Sequence, residues 1–262
     1  MEKLGRLELA NDNAASFWLA QAAAHGWDTL RRPGWTAIRC ARDAGDAHRV
    51  VITRPYDEPA ALEAELADLF VDWGTAGVCV EDPYHRLDLT RHGVTSQLPL
   101  AVMTREPGPL PHAAPGGYRR DPDGRVAEPV AVKIEEALDA AALAEVERAV
   151  VDGFPIPARQ PWRPAELLPP ALLEQSGFRA WLARVDGHPA GACTTYDDGR
   201  AVGVYWVATL PDHRSSGIGR AVLTHALGGY PDRVATLTAT LLGEPLYRKL
   251  GFTEAATTHW WR

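Results

Sequence analysis

The stretch Arg214-Ser215-Ser216-Gly217-Ile218-Gly219-Arg220 has residue types and a spacing suited to binding chemistry. Two glycines one residue apart give a backbone that a ligand can approach without a Cβ in the way. Where such a stretch opens a helix, consecutive N–H groups point outward and the helix dipole adds positive potential. Hydroxyls and guanidinium groups then supply further hydrogen bonds and charge. The ligand expected from that chemistry is a pyrophosphate. The flanking elements suit it. Residues 201–210 are β-branched and aromatic and read as a buried strand, broken by Pro211-Asp212-His213, while Ile218, Ala221, Val222 and Ala226 repeat at helical spacing.

A Gly-x-Gly alone is equally an ordinary tight turn. A second element, Leu246-Tyr247-Arg248-Lys249-Leu250-Gly251-Phe252, follows another strand at 234–240. Together the two elements, which cover roughly residues 200–252, resemble the Gcn5-related N-acetyltransferase (GNAT) superfamily. The first is similar to its Arg/Gln-x-x-Gly-x-Gly/Ala acetyl-CoA loop and the second to its Tyr-x-Lys-x-Gly-Phe closing helix. A nucleotide P-loop needs Gly-Lys-Ser/Thr, but Gly219 is followed by Arg220-Ala221. A dinucleotide site needs a third glycine where Val222 stands.

The resemblance implies an α+β fold, a mixed central sheet flanked by helices. It implies an N-acyltransferase that brings acetyl-CoA and a primary amine, on a small molecule or a protein, into one ternary complex without a metal. Arg214, Ser215, Ser216, Gly217, Ile218, Gly219 and Arg220 would hold the pyrophosphate. The backbone near Val207 and Thr209 would pair with the pantetheine arm, one N–H there supporting the thioester oxygen as it becomes an oxyanion. Tyr247 would protonate the departing thiolate, its other reading being a packing residue at a helix start. Thr240 stands where the family often has an asparagine, and reaches less far.

The general base is not legible. An alkylammonium must lose a proton before it attacks, and many members of the superfamily place a glutamate on the long strand for this. Here residues 202–210 contain no carboxylate, and Tyr205 is their sole ionisable side chain. Asp197, Asp198, Glu244 and His259 are the alternatives elsewhere, each equally a solvated surface group. The missing glutamate leaves a second reading open, a CoA-binding sensor or scaffold without turnover. The proline-rich arm at 154–164, with Trp162, occupies the place where the superfamily builds its acceptor site. Trp260 and Trp261 either line that site or close a sheet edge.

Composition sets the frame. The chain has 262 residues, 46% hydrophobic and 23% charged, with a formal net charge of −7. Those values fit a globular protein of one large or two ordinary domains. The acidity, mostly in residues 1–129, argues against nucleic acid as the main partner. With neither a signal-like start nor a membrane-length apolar run, a cytoplasmic protein is expected. Cys40, Cys79 and Cys193 then read as buried thiols.

Residues 107–129 hold six prolines and four glycines and read as a linker between residues 1–106 and 130–262. The second segment follows the GNAT order of elements and is expected to be catalytic. The first repeats the order more quietly, Leu89-Thr90-Arg91-His92-Gly93-Val94 aligning with the Tyr247 element. Where its phosphate loop belongs it has Arg54-Pro55-Tyr56-Asp57-Glu58-Pro59, without glycine and with two carboxylates that would repel a pyrophosphate. It reads as a degenerate GNAT-like copy, or as an unrelated α/β cap. Shaping the acceptor site, forming a homodimer and covering a sheet edge are the roles open to it.

Overall fold

In the computed structural model the residues described are 4–40, 48–73, 78–97, 99–111, 117–120, 126–154, 156 and 159–262. Gly77 at the start of one expected strand, Leu98 at the start of another, Pro155, Pro157 and Ala158 of the arm, and much of the 107–129 stretch lie outside them. So do Met1, Glu2 and Lys3 of the N-terminal start.

The chain runs α1 (Arg6–His25), β1 (Asp28–Arg32), β2 (Trp35–Arg39), β3 (His48–Ile52), α2 (Pro59–Trp73), β4 (Val78–Asp82) and β5 (Leu100–Arg105). It continues through β6 (Gly117–Arg120), β7 (Val126–Val130), β8 (Val132–Glu136), α3 (Ala140–Gly153), β9 (Phe178–Val185), β10 (His188–Asp197) and β11 (Ala201–Thr209). It ends in α4 (Ile218–Gly228), β12 (Val234–Ala239), α5 (Glu244–Lys249) and β13 (Thr253–Trp261). This is the expected α+β architecture, with both parallel and antiparallel strand pairs.

Two compact units interleave along the chain. One comprises Met1–Thr104, Thr236–Glu244 and Thr253–Arg262; the other comprises Arg105–Ala235 and Pro245–Phe252. In the first unit the strand order is β1-β2-β3-β4-β13-β5-β12. The C-terminal strand β13 lies between β4 and β5, antiparallel to both, and β3 and β4 are parallel. Leu62, Leu66 and Leu69, spaced for one helical face, press α2 onto Val50, Ile52, Val78, Val80 and Trp261. On the neighbouring strands Arg49 and Glu81 form a buried ion pair, the guanidinium lying 4.3 Å from the Trp18 ring and 4.8 Å from that of Trp260. Among the described residues no helix is long and apolar enough to cross a membrane.

In the second unit β8, β9, β10 and β11 form an antiparallel sheet in chain order. The carboxylate of Asp139 caps α3 by accepting from the Ala142 N–H at 2.8 Å. Leu143, Val146 and Val150 form the buried stripe of that helix, as their spacing predicts. Gly153 ends it against β11, where a Cβ would stand 3.1 Å from Ala208 and 3.3 Å from the Thr209 carbonyl oxygen. Within the proline-rich stretch the structure adds β6 and β7, an antiparallel pair in which Tyr118 lies opposite Pro129.

Both halves of the chain show one order of elements: helix, three strands, helix, strand, short helical turn, strand. The aligned turns agree bond for bond. His92, Gly93 and Val94 donate to the carbonyls of Leu89, Thr90 and Leu89; Leu250, Gly251 and Phe252 donate to those of Tyr247, Arg248 and Tyr247. Gly93 and Gly251 both take left-handed backbone, at φ 78° and 86°, which a side chain there would strain.

Candidate functional site

The turn between β11 and α4 opens the helix at Ile218. Ser215 and Gly217 take left-handed φ values of 58° and 84°. Alternating hand along a short backbone makes a concave nest of N–H groups. Gly217 is the N-cap of α4 and supplies no side-chain cap, so the N–H groups of Ile218, Gly219 and Arg220 open the helix without one. Gly219 is tightly placed: a Cβ would sit 3.2 Å from Leu246 and 3.4 Å from the Thr209 hydroxyl. An anion of pyrophosphate type fits such a cradle.

Two side chains expected to contact the ligand are engaged within the protein. Arg214 donates from its guanidinium to the Gly153 carbonyl at 3.0 Å and to that of Thr209 at 3.4 Å. Ser216 is buried, its hydroxyl donating to the Arg214 carbonyl at 3.3 Å. Arg214 thus ties the loop to the end of α3 and to β11, and Ser216 holds a carbonyl of the loop itself. Ser215 is exposed and Arg220 half-buried.

β11 is interrupted where the chemistry is expected. Ala192 pairs with Ala208 and Thr194 with Tyr205, so Cys193 alone faces both Trp206 and Val207. Trp206 has a φ of 52°. This is a β-bulge, and it takes the backbone of Trp206 and Val207 out of the ladder with β10. The strand is buried through Val204, and residues 205–207, 209 and 210 are half-exposed. No residue preference announces the bulge, since a bulky tryptophan is an unfavourable residue for left-handed backbone.

Tyr247 lies on α5 in the same unit, 8% exposed, its ring edge-on to Phe252 at 6.0 Å. Among the described residues its hydroxyl has no hydrogen-bond partner. Burial, and secondarily the nearby Cys193 thiol, hold the phenol proton well above its usual range. Burial raises the Cys193 thiol in the same way. A thiolate released in that setting is therefore also a stronger base than in water, and the phenol is a protonated group of comparable basicity. Arg105 fixes the end of this element by donating to the Leu250 carbonyl at 3.0 Å.

Other expected groups are not brought to the bulge. Asp197 and Asp198 stand at the β10–β11 hairpin, where they accept from the Gly199 and Arg200 N–H groups at 2.8 Å. From Ala201 to Trp206 the strand advances about 16 Å, so neither carboxylate reaches the bulge as a base. Thr240 belongs to the first unit, where its hydroxyl and carbonyl accept from Gly243, at 3.2 Å and 2.9 Å, and turn the chain into α5. Glu244 opens α5. His259 is in the first unit, edge-on to His85 at 4.1 Å, its proton affinity lowered by burial and by that neighbour. Trp260 and Trp261 also lie in that unit, the first over Arg49 and the second in the apolar core.

The arm after α3 has an anchor that sequence reasoning missed. Glu147 is fully buried on α3, and its carboxylate accepts from the N–H groups of Ala165, Leu167 and Leu168 at 2.8, 2.6 and 3.1 Å. A glutamate within an apolar helical stripe was the one available signal. Trp162, on this arm, lies over the Arg148 guanidinium at 5.5 Å. In the first half, side chains of the segment 54–59 are engaged within the protein. Arg54 pairs with Asp12, and the Tyr56 hydroxyl donates to Asp82 at 3.0 Å. Among the described residues no cluster of three or more histidine, cysteine or acidic side chains is placed to hold a metal ion.

Residues 176–254 match a family model described as an acetyltransferase (GNAT) domain. No curated protein matches the sequence. Solved structures extend the likeness over nearly the whole chain. A GCN5-related N-acetyltransferase from Kribbella flavida is 20% identical over 95% of this chain and 94% of its own, with a TM-score of 0.63. A functionally unknown conserved protein from Staphylococcus epidermidis is 9% identical over 90% of this chain and 94% of its own, with a TM-score of 0.58. A GCN5-related N-acetyltransferase from Sphaerobacter thermophilus is 18% identical over 87% and 76%, with a TM-score of 0.52. At such identities the likeness establishes the fold.

Proposed function

On the premise that residues 176–254 form a GNAT acetyltransferase domain, we propose that this protein transfers an acetyl group from acetyl-CoA to a primary amine by direct attack in a ternary complex. The observation that carries the reading is the left-handed pair Ser215 and Gly217 at the start of α4, in one unit with a bulged β11 and a buried Tyr247. The nest and helix start receive the pyrophosphate, and the backbone from Val207 to Thr209 receives the pantetheine arm. The amine nitrogen attacks the thioester carbonyl carbon, whose oxygen gains charge beside a bulge N–H. The C–S bond then breaks, and the sulfur takes a proton from the Tyr247 hydroxyl. An ammonium loses one proton to solvent before attack. The nitrogen loses a second as the amide forms, and that proton returns to Tyr247 through solvent, because β11 offers no carboxylate to accept it. The first half, whose segment 54–59 has no glycine and two carboxylates, is a degenerate copy without a cofactor loop. The acceptor is a small-molecule or protein amine, neither nucleic acid nor membrane, and the protein works in the cytoplasm.

The test is an acetyl-CoA titration by calorimetry, comparing the natural protein with a Gly217→Asp, Gly219→Asp double variant that keeps its thermal transition. One site per chain, lost in the variant, is the expected result; absence of binding by the folded natural protein would refute the reading. The missing strand carboxylate favours a second reading, a CoA-binding sensor without turnover. It predicts the same titration but no acetyl transfer to any amine in a broad screen.

A further inference from the structure

The β6–β7 pair touches the loop itself. The Tyr118 N–H donates to the Ser216 carbonyl oxygen at 2.8 Å. Gly117 is so close that a Cβ would stand 2.9 Å from that same oxygen, 2.9 Å from Ile218 Cδ1 and 3.2 Å from Val132. Tyr118 is opposite Pro129, which has no N–H to give. Because Pro129 cannot join a pair that exchanges N–H···O bonds, Tyr118 stands opposite it at a non-hydrogen-bonded position, where its N–H points away from β7 and meets the loop.

A trans peptide is planar, and its C=O and N–H point in opposite directions. Holding the Ser216 carbonyl toward β6 therefore turns the Gly217 N–H away from β6. Ser216 Oγ holds the Arg214 carbonyl at 3.3 Å and in the same way sets the direction of the Ser215 N–H. Two alternate peptide planes of the nest, 214–215 and 216–217, are thereby pinned by groups outside the expected ligand. Left-handed backbone is unfavourable for a serine, so the loop needs such restraint to keep its shape.

We propose that the β6–β7 pair is a strap that pre-orients the pyrophosphate cradle, with Gly117 and Tyr118 as its positioning residues. The inference rests on the reading of residues 214–220 as that cradle. Their role is indirect: the strap presents the Gly217 N–H to the diphosphate, and the thioester end of the substrate is beyond its influence.

The experiment compares the natural protein with Tyr118→Pro, which deletes the donor, and Gly117→Val, which pushes on the Ser216 carbonyl. Losing one oriented N–H to a charged oxygen predicts acetyl-CoA affinity weakened about 10- to 100-fold. KM for acetyl-CoA rises with it while kcat at saturation holds. S-acetylpantetheine, which has no diphosphate, is turned over equally by the natural protein and the variants, a split that general loosening of the fold would not give. In the natural protein the Tyr118 amide exchanges slowly with solvent deuterium. Natural-like acetyl-CoA affinity in either folded variant overturns the strap, as does free exchange of that amide whether or not the variants fold. Failure of the natural protein itself to bind acetyl-CoA is a different outcome, and removes the cradle reading along with the strap.

Discussion

Replacing Tyr247 by phenylalanine separates chemistry from packing at the proposed site. The ring is buried beside Phe252, and the substitution leaves that contact in place. The hydroxyl makes no hydrogen bond among the described residues, so deleting it breaks none and exposes no partner. A stability change within about 0.5 kcal/mol is therefore expected, below the usual worth of a single hydrogen bond. Catalysis should respond very differently. A positioned general acid contributes roughly 10²–10⁴-fold, and steady-state kinetics should show kcat reduced by about that factor with the affinity for CoA retained. The pH profile gives an independent reading. Because burial raises the phenol proton above its ordinary value of 10.0, the proposed acid stays protonated in the natural protein, and it should contribute no decline in kcat up to pH 10. Thioester cleavage monitored by thiol release measures both quantities. Unchanged kcat in a folded Tyr247→Phe protein, with chemistry shown to limit turnover by a single-turnover experiment, would refute the assignment.

Alkaline pH should destabilise the fold through the same physics. Burial raises Tyr56 and Tyr247 well above 10.0 and Tyr84 to about 12. Their contribution is complete below the unfolded value near 10 and is lost as pH rises through the folded values. Absorbance of phenolate should therefore show these groups titrating together with loss of far-UV circular dichroism, and free titration in a still-folded protein would contradict their burial. In the first unit, Arg49→Met should cost about 3–5 kcal/mol by leaving Glu81 buried without its partner. The double variant Arg49→Met, Glu81→Leu should recover most of that loss in urea unfolding, and strictly additive losses would show that the pair is not a coupled unit.

The glycine loop and the Tyr247 turn were legible because their conformations demand particular residues. Gly217, Gly93 and Gly251 sit at left-handed φ, and Gly219 has no room for a Cβ without displacing a neighbour. Helices α2 and α3 are legible for the same kind of reason, since Leu62, Leu66 and Leu69 on one and Leu143, Val146 and Val150 on the other fall at helical spacing. The features that were missed rest on backbone or long-range pairing without residue preference. β1 is Asp-Thr-Leu-Arg-Arg, largely exposed, and reads as a loop. The first two turns of α1 carry Asn11, Asp12 and Asn13, poor helix formers whose positions the fold fixes by tertiary bonds, Asn11 to Tyr84 and Asp12 to Arg54. The bulge places a tryptophan in left-handed backbone, against its own preference. The strap is a main-chain bond that leaves no mark in the side chains.

These failures have a common direction. At the candidate site the sequence identifies the groups that must be small, and the structure supplies those that hold them: the guanidinium of Arg214 on Gly153, the hydroxyl of Ser216 on Arg214, and the Tyr118 N–H on Ser216. Two of these side chains read from sequence as ligand contacts because arginine and serine suit phosphate. In the folded chain their polar atoms meet main-chain carbonyls, those of Gly153 at the end of α3, Thr209 at the end of β11 and Arg214 in the loop, and a buried carbonyl without a donor costs about 1–3 kcal/mol. A loop shaped to offer its N–H groups outward necessarily turns carbonyls inward. The residues that satisfy those carbonyls are as much a part of an anion site as the glycines that open it.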